Sequence, residues 1–82
     1  MSRLHRVVSE LVTSVEGVLN QIVIKTGPGS AMMVASAIDE AAWPEVLGTI
    51  GGDDTILIIL RSPELMPVVK QRFIDLKGSA AS

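Results

Sequence analysis

Apolar residues recur at helical spacing at the start of the chain. They fall at positions i, i+3, i+4 and i+7, which predicts a short amphipathic helix containing Leu4, Val7, Val8 and Leu11. The pattern then changes, because residues 11–26 are rich in β-branched side chains and are interrupted at Glu16–Asn20. β-branched residues favour strands, so this stretch predicts two strands joined by a hairpin turn.

A second helix is predicted in the middle of the chain. Turn-forming residues at 26–29 precede an alanine-rich stretch from Ser30 to Ala42, and Trp43–Pro44 ends it because the residue before a proline disfavours the helical conformation. At about 100° per residue, one stripe of this helix faces the core, formed by Ala31, Val34, Ala35, Ile38 and Ala42. A neighbouring flank, open to a ligand or another subunit, carries Met32, Ser36, Asp39 and Trp43.

Two further strands are predicted at Val46–Ile50 and Thr55–Arg61, joined by a tight turn at residues 51–54. The second of these strands contains the uninterrupted apolar run Ile56–Leu60. A strand with water on one side should alternate apolar and polar residues, so this run predicts that both of its faces are buried. Because the chain has too few helices to cover two faces of a sheet, we expect another subunit to cover the second face.

A last helix is predicted from Ser62–Pro63–Glu64, a helix-start pattern, to Gly78, with apolar residues at helical spacing at Leu65, Val69, Phe73 and Leu76. The element order is therefore β-β-α-β-β-α after a short helical segment. It predicts a two-layer α/β domain of the α+β type, in which two helices pack on one face of a four-stranded antiparallel sheet.

Composition narrows the class of protein. Of 82 residues, 48% are hydrophobic but only 2% are aromatic, more apolar material than one small domain can bury, which favours self-association. The chain has no cysteine, no signal peptide and no apolar run of the roughly 20 residues that a membrane span needs, so we expect a cytoplasmic protein. Its seven basic residues are scattered and its net charge is −2, which makes nucleic acid a poor direct partner.

The polar feature that stands out is the adjacent pair Asp53 and Asp54, which lies on a Gly-Gly turn. The pair fits solvated turn residues, a divalent metal, or a cationic ligand such as a guanidinium, which binds a carboxylate through two parallel hydrogen bonds. No histidine lies nearby to complete a transition-metal site, and none of the serines has an adjacent base to activate it as a nucleophile. We therefore expect a binding module and not an enzyme.

The sequence VLGTIGGDDTILIIL at residues 46–60 closely resembles the C-terminal domain of the bacterial arginine repressors, where GTIAGDDT is characteristic. The segment TGPGSA at residues 26–31 is similar to that family's TPPGAA or TSPGAA. The likeness extends from about Val12 to Leu76. Two departures are Gly51, where the family usually has alanine, and Met32, where glutamine or another polar residue is common.

The resemblance implies an effector-binding domain that forms trimers, stacks two trimers into a hexamer, and holds L-arginine where the trimers meet. By position, Asp53 and Asp54 match the acidic pair that contacts arginine, and Asp39 matches a helix carboxylate near its α-ammonium. Thr49 lies near the same pocket. Met32 and Ala31 complete the expected binding residues, and main-chain groups at residues 29–31 are expected to receive the ligand's carboxylate.

The resemblance also divides the chain into an interdomain linker at residues 1–11, the arginine-binding and oligomerisation domain at 12–77, and a flexible tail at 78–82. The family's N-terminal DNA-binding domain, through which operator DNA would be bound and arginine biosynthesis genes repressed, is absent from this chain. Arginine is the expected corepressor, with no metal. Two alternatives remain open: a metal-binding enzyme subunit that uses Asp53 and Asp54, and an oligomerisation module without a ligand.

Overall fold

The computed structural model describes residues 2–79. The elements follow the predicted β-β-α-β-β-α order after an N-terminal helix. They are α1 (Arg3–Leu11), β1 (Val12–Val18), β2 (Gln21–Thr26), α2 (Ala31–Ala41), β3 (Val46–Gly51), β4 (Thr55–Leu60) and α3 (Met66–Ser79), with a 3-10 turn at Pro63–Leu65 before α3. The predicted fold class is confirmed.

The four strands form one antiparallel sheet in the order β1-β2-β4-β3. The two central strands supply the inward side chains that form the middle of the core, Ile22, Ile24, Ile56, Ile58 and Leu60, all of them at least 99% buried. Helix α2 packs over β3 and β4, and helix α3 packs over β1 and β2. Strand β3 pairs with β4 along one edge, and its other edge has no partner strand within residues 2–79. Helix α2 packs on the face of β3 that is turned to the core.

The N-terminal helix packs against both other helices, so three helices and not two lie on one face of the sheet. Leu4, Val7 and Val8 are buried in the same core as the strands. The helix begins at a capping residue, because the Ser2 side chain accepts a hydrogen bond from the His5 N–H. None of the helices within residues 2–79 has the length and apolar character that crossing a membrane requires.

Two helix ends differ from the prediction. Ala42 is exposed and is not part of the core stripe, because α2 ends at Ala41 and Ala42 adopts a left-handed conformation with φ 52°. Ala37 is buried in its place. Helix α3 continues through Gly78 to Ser79, where a flexible tail was expected, and the rest of that expected tail, residues 80–82, lies outside the described residues.

The second face of the sheet is not covered by any helix or strand formed by residues 2–79. Leu57 and Ile59 point away from the helices and are half-buried, and their neighbour Ile50 on β3 is 66% exposed. Val18 at the end of β1 is also exposed. These side chains place an apolar surface on the open face, as the unbroken apolar run of β4 predicted.

The connection between α2 and β3 is held by side chains of α3. Arg72 donates two hydrogen bonds to the Glu45 carboxylate, of 2.9 and 2.6 Å, and its guanidinium lies 5.1 Å from the centre of the Trp43 ring. Trp43 in turn packs against Phe73, with ring centres 5.1 Å apart. The hydrogen bonds from Arg72 lower the pKa of Glu45 below its ordinary value, with a smaller contribution from the main chain.

We predict that Glu45→Gln destabilises the domain near neutral pH and that the difference from the wild type shrinks as the pH falls below 4.5, the ordinary pKa of the carboxyl. A carboxyl whose pKa is lowered by folding contributes stability above its unfolded pKa and loses it as the pH falls through the folded pKa. Melting temperatures at one protein concentration between pH 7 and pH 3 measure this.

The matched control is Glu40→Gln. Glu40 makes a single 3.3 Å contact with Arg3 and is well exposed, so its replacement should lower the melting temperature at pH 7 by less than Glu45→Gln does. Equal pH dependence in the two variants would contradict a stabilising role for the Arg72–Glu45 pair.

Candidate functional site

The residues that the sequence singled out lie along one border of the domain, where α2 runs antiparallel to the edge strand β3. At one end, the Ala31 N–H donates to the main-chain oxygen of Asp53 over 3.1 Å. At the other end, Thr49 Oγ1 donates to Asp39 Oδ1 over 2.9 Å. Eight residues of helix separate these ends, about 12 Å at 1.5 Å per residue. We call this border the acidic edge: Ala31, Met32, Asp39, Thr49, Asp53 and Asp54.

The turn that carries the two aspartates is fixed by its main chain. The Gly52 N–H donates to the Thr55 oxygen, and the Thr26 N–H donates to the Asp54 oxygen, each over 2.8 Å. Together with the bond from Ala31 to Asp53, these contacts tie the turn to the end of β2 and to the first residue of α2. The carboxylates of Asp53 and Asp54 remain exposed while their backbone is held.

The other end of the acidic edge combines a helix and a strand. Asp39 is exposed near the end of α2, and Thr49 faces it from β3, in register with Ile58 of β4. Because the Thr49 hydroxyl engages one carboxylate oxygen of Asp39, it fixes the orientation of that group and leaves the second oxygen available. The structure therefore brings together two residues that lie ten positions apart in the sequence.

Met32 lies between the two ends, and its position depends on Gly51. A Cβ added at Gly51 would lie 3.0 Å from the Met32 sulfur and 3.5 Å from Ala35 Cβ. Met32 is 63% exposed, so its thioether rests over the glycine on the surface of the edge. Glycine at position 51, where the resembled family usually has alanine, thus leaves room for the methionine side chain.

The first turn of α2 offers fewer free donors than expected. The Ser30 N–H donates to Gly27 and the Ala31 N–H donates to Asp53, while Ala31 itself is fully buried. Within the described part of the chain, the first-turn N–H groups that keep no backbone acceptor are those of Met32 and Met33. The expected contact of main-chain groups at residues 29–31 with a ligand carboxylate stays a prediction, and two of those three N–H groups already have main-chain acceptors.

Two residues that the sequence analysis did not select belong to this region. Thr55 Oγ1 donates to Asp54 Oδ1 and accepts a hydrogen bond from Lys25 Nζ, each over 2.9 Å. Lys25 and Thr55 are opposite each other in the β2–β4 register. Lys25 and Thr55 are 30 positions apart in the sequence, so only the pairing of β2 with β4 reveals the contact between them.

The concave surfaces lie mainly over the helices. A cleft of about 150 Å³ borders Asp39 and is also lined by Trp43, Leu47 and Gly48. Larger depressions of about 400 and 470 Å³ lie beside Arg72 and Asp75 on α3. The end of the acidic edge at Asp39 therefore borders a small cleft, and the carboxylates of Asp53 and Asp54 are exposed at the other end.

The electrostatics of the edge favour a cation. Neither of the two ion pairs formed within residues 2–79 involves Asp39, Asp53 or Asp54, so three carboxylates face solvent without a directly bonded basic side chain. Among the same residues, no three His, Asp or Glu side chains converge closely enough to hold a metal ion.

The fold and the acidic edge define a small α+β domain that presents fixed carboxylates beside an open apolar sheet face. The sequence profile of the family described as "Arginine repressor, C-terminal domain" matches residues 8–75. This chain belongs to that family, as its resemblance at residues 26–31 and 46–60 indicated.

Individual relatives agree with the family match. The arginine repressor of Carboxydothermus hydrogenoformans is 55% identical over 73 residues, which is 89% of this chain and 49% of that protein. The arginine repressors of Pelotomaculum thermopropionicum and Bacillus subtilis are 46% and 41% identical over 76 residues, 93% of this chain and 50% and 51% of those proteins. The chain thus spans about half the length of these curated relatives.

We predict that Gly51→Ala displaces the Met32 side chain while changing the free energy of unfolding by less than about 1 kcal/mol, because an exposed methionine can change rotamer. The NMR shift of the Met32 ε-methyl group measures the displacement. Gly48→Ala is the control, since nothing lies within 4 Å of a Cβ added there. An unchanged Met32 signal in Gly51→Ala would show that the thioether does not rest on Gly51.

Proposed function

We propose that this chain is the arginine-sensing and assembly domain of an arginine-dependent transcriptional repressor. It binds L-arginine as corepressor along the acidic edge and assembles as two stacked trimers. The observation that carries the proposal is the placement of carboxylates at both ends of the edge, Asp53 and Asp54 at one end and Asp39 at the other. Each is held by main-chain or hydroxyl hydrogen bonds, and none is directly neutralised by a basic side chain.

Arginine matches the chemistry of this edge. Its guanidinium is a planar donor suited to a carboxylate, and its α-ammonium is a second cation. Helix α2 rises about 12 Å between Ala31 and Asp39, so the acidic edge is long enough for an extended arginine whose two cationic ends contact different carboxylates. We assign the guanidinium to Asp53 and Asp54 and the ammonium to Asp39.

Self-association follows from the open face of the sheet. Leu57, Ile59 and Ile50 form an apolar patch that a second copy of the chain would bury, and apolar burial is the main driving force for such contacts. Where acidic edges of two trimers meet, their like charges oppose stacking. Bound arginine neutralises those charges and so favours the hexamer over separate trimers.

The gene-regulatory role belongs to the longer protein. The relatives that match this chain are named arginine repressors and are about twice its length. We propose that a DNA-binding domain attached before residue 1 contacts operator DNA, and that the hexamer assembled by this domain holds several such DNA-binding domains together. Arginine abundance would thereby repress arginine biosynthesis genes.

A second candidate is an assembly domain that has lost its ligand. It is favoured by Met32, which places a thioether on the acidic edge where a polar side chain would hydrogen-bond a ligand. The two candidates differ in whether arginine binds and whether the assembly responds to it.

Binding of L-arginine to the acidic edge can be measured directly. Calorimetric titration with L-arginine should show saturable binding, whereas citrulline, which lacks the guanidinium charge, should not bind detectably. Asp54→Asn and Asp39→Asn should each weaken arginine binding roughly 10- to 100-fold, the effect of losing a hydrogen bond to a charged group. Asp75→Asn on α3, an exposed carboxylate away from the edge, is the matched control and should bind as the wild type does.

If arginine does not bind the wild-type chain at all, the ligand-free assembly domain is correct. If citrulline binds as tightly as arginine, the carboxylates of the edge do not recognise the guanidinium.

Assembly of the chain should respond to arginine. Sedimentation velocity at low protein concentration should show a larger average mass with saturating arginine than without it, because a ligand that binds the hexamer preferentially shifts the equilibrium toward it. Asp53→Asn should raise the mass of the arginine-free protein, since it removes one of the repelling charges. A particle mass indifferent to arginine would contradict the proposed coupling.

A further inference from the structure

The two adjacent carboxylates of the acidic turn have different surroundings. Asp54 Oδ1 accepts a hydrogen bond from the Thr55 hydroxyl, while the Asp53 side chain takes part in none of the side-chain hydrogen bonds found within residues 2–79. Their main chains are both anchored, through Thr26 for Asp54 and Ala31 for Asp53. The difference therefore lies in the side chains alone.

The direction of each hydrogen bond around Thr55 is dictated by chemistry. The ammonium group of Lys25 has only donors, so the Thr55 hydroxyl must accept from it. An ionised carboxylate has only acceptors, so the single hydroxyl proton of Thr55 must point to Asp54. Lys25, Thr55 and Asp54 thus form a polarised chain in which each bond strengthens the next.

The sheet places this chain. Lys25 and Thr55 are cross-strand partners on the open face, and the Thr26 N–H binds the Asp54 oxygen directly beside them. Asp54 is consequently held at its backbone by one residue of β2 and at its carboxylate by the neighbouring residue of β2, acting through Thr55. Asp53 has no such second contact.

We propose that Thr55 and Lys25 are positioning residues that hold the Asp54 carboxylate in one orientation, with Oδ2 directed to the ligand, whereas Asp53 adjusts its side chain on binding. This inference rests on the proposed arginine-binding function. It names Asp54 as the pre-oriented receptor for the guanidinium and assigns roles to two residues that need not contact the ligand. Pre-orientation increases affinity because less side-chain freedom is lost on binding.

Removal of the Thr55 hydroxyl tests the proposal by calorimetry. Thr55→Val keeps the β-branched shape and should weaken arginine binding about fivefold, the effect of one hydrogen bond. Thr55→Ser keeps the hydroxyl and should restore affinity to within about twofold of the wild type. Thr13→Val, at an exposed threonine of β1, is the control and should leave binding unchanged. Equal affinities of Thr55→Val and the wild type would overturn the proposal.

A second set of variants separates positioning from general stability. Thr55→Val should retain its fivefold effect when combined with Asp53→Ala, because Thr55 acts on the other carboxylate. Combined with Asp54→Ala it should have no further effect. A fivefold weakening of arginine binding by Thr55→Val in the Asp54→Ala background as well would show that Thr55 acts on the fold and not through Asp54.

Side-chain NMR couplings test the same chain of hydrogen bonds without ligand. In the wild type, the couplings that report χ1 should correspond to one rotamer for Asp54 and to rotamer averaging for Asp53. Thr55→Val and Lys25→Met should each shift the Asp54 couplings toward averaging, while Lys25→Arg, which keeps the donors, should not. An Asp54 rotamer that is averaged in the wild type, or is unaffected by both substitutions, would overturn the inference.

These experiments distinguish the inference from the function on which it rests. Absence of arginine binding to the wild type would contradict the proposed function, and the NMR couplings would still decide whether Asp54 is held. Wild-type binding with no effect of Thr55→Val would leave the function intact and remove the positioning role.

Discussion

The apolar character of strand β4 on both of its faces is the constraint on which the rest of the domain depends. Ile56, Ile58 and Leu60 point into the core, and Leu57 and Ile59 point to the opposite face. Three short helices suffice to cover the first face and leave the second open. No element formed by residues 2–79 covers that face, so its apolar side chains are available for contact with another copy.

The acidic edge is a consequence of the same layering. The helices formed by residues 2–79 lie on one side of the sheet, and α2 packs along the border strand β3. This packing places Asp39 against Thr49 and the start of the helix against the acidic turn. The carboxylates are then fixed at their backbones but exposed to solvent. Such a border can bind a cation and meet another subunit at the same place, which is what the proposed coupling between arginine and assembly requires.

The departures at residues 32 and 51 illustrate how two sequence changes become one structural feature. Considered separately, Gly51 lacks a methyl group and Met32 lacks a polar terminus. In the structure the methionine sulfur occupies the space beside the glycine, so the pair is packed as a unit. In the same region, the hydroxyl of Thr55 links Lys25 of a different strand to Asp54. Met32 and Gly51 lie far apart in the sequence, as do Lys25 and Thr55, which is why residue patterns alone did not indicate these contacts.

The sequence by itself determined the order of the elements, the apolar character of residues 56–60 on both faces and the acidic turn, because hydrophobic periodicity and turn chemistry act over a few neighbouring residues. The motifs at residues 26–31 and 46–60 determined the family. Only the tertiary structure decided that the N-terminal helix joins the core through Leu4, Val7 and Val8, that Ala42 faces solvent, and that the Ala31 N–H is occupied by Asp53. These features depend on contacts between distant segments, whose geometry is set by how the helices and strands pack together and not by the local pattern that forms each of them.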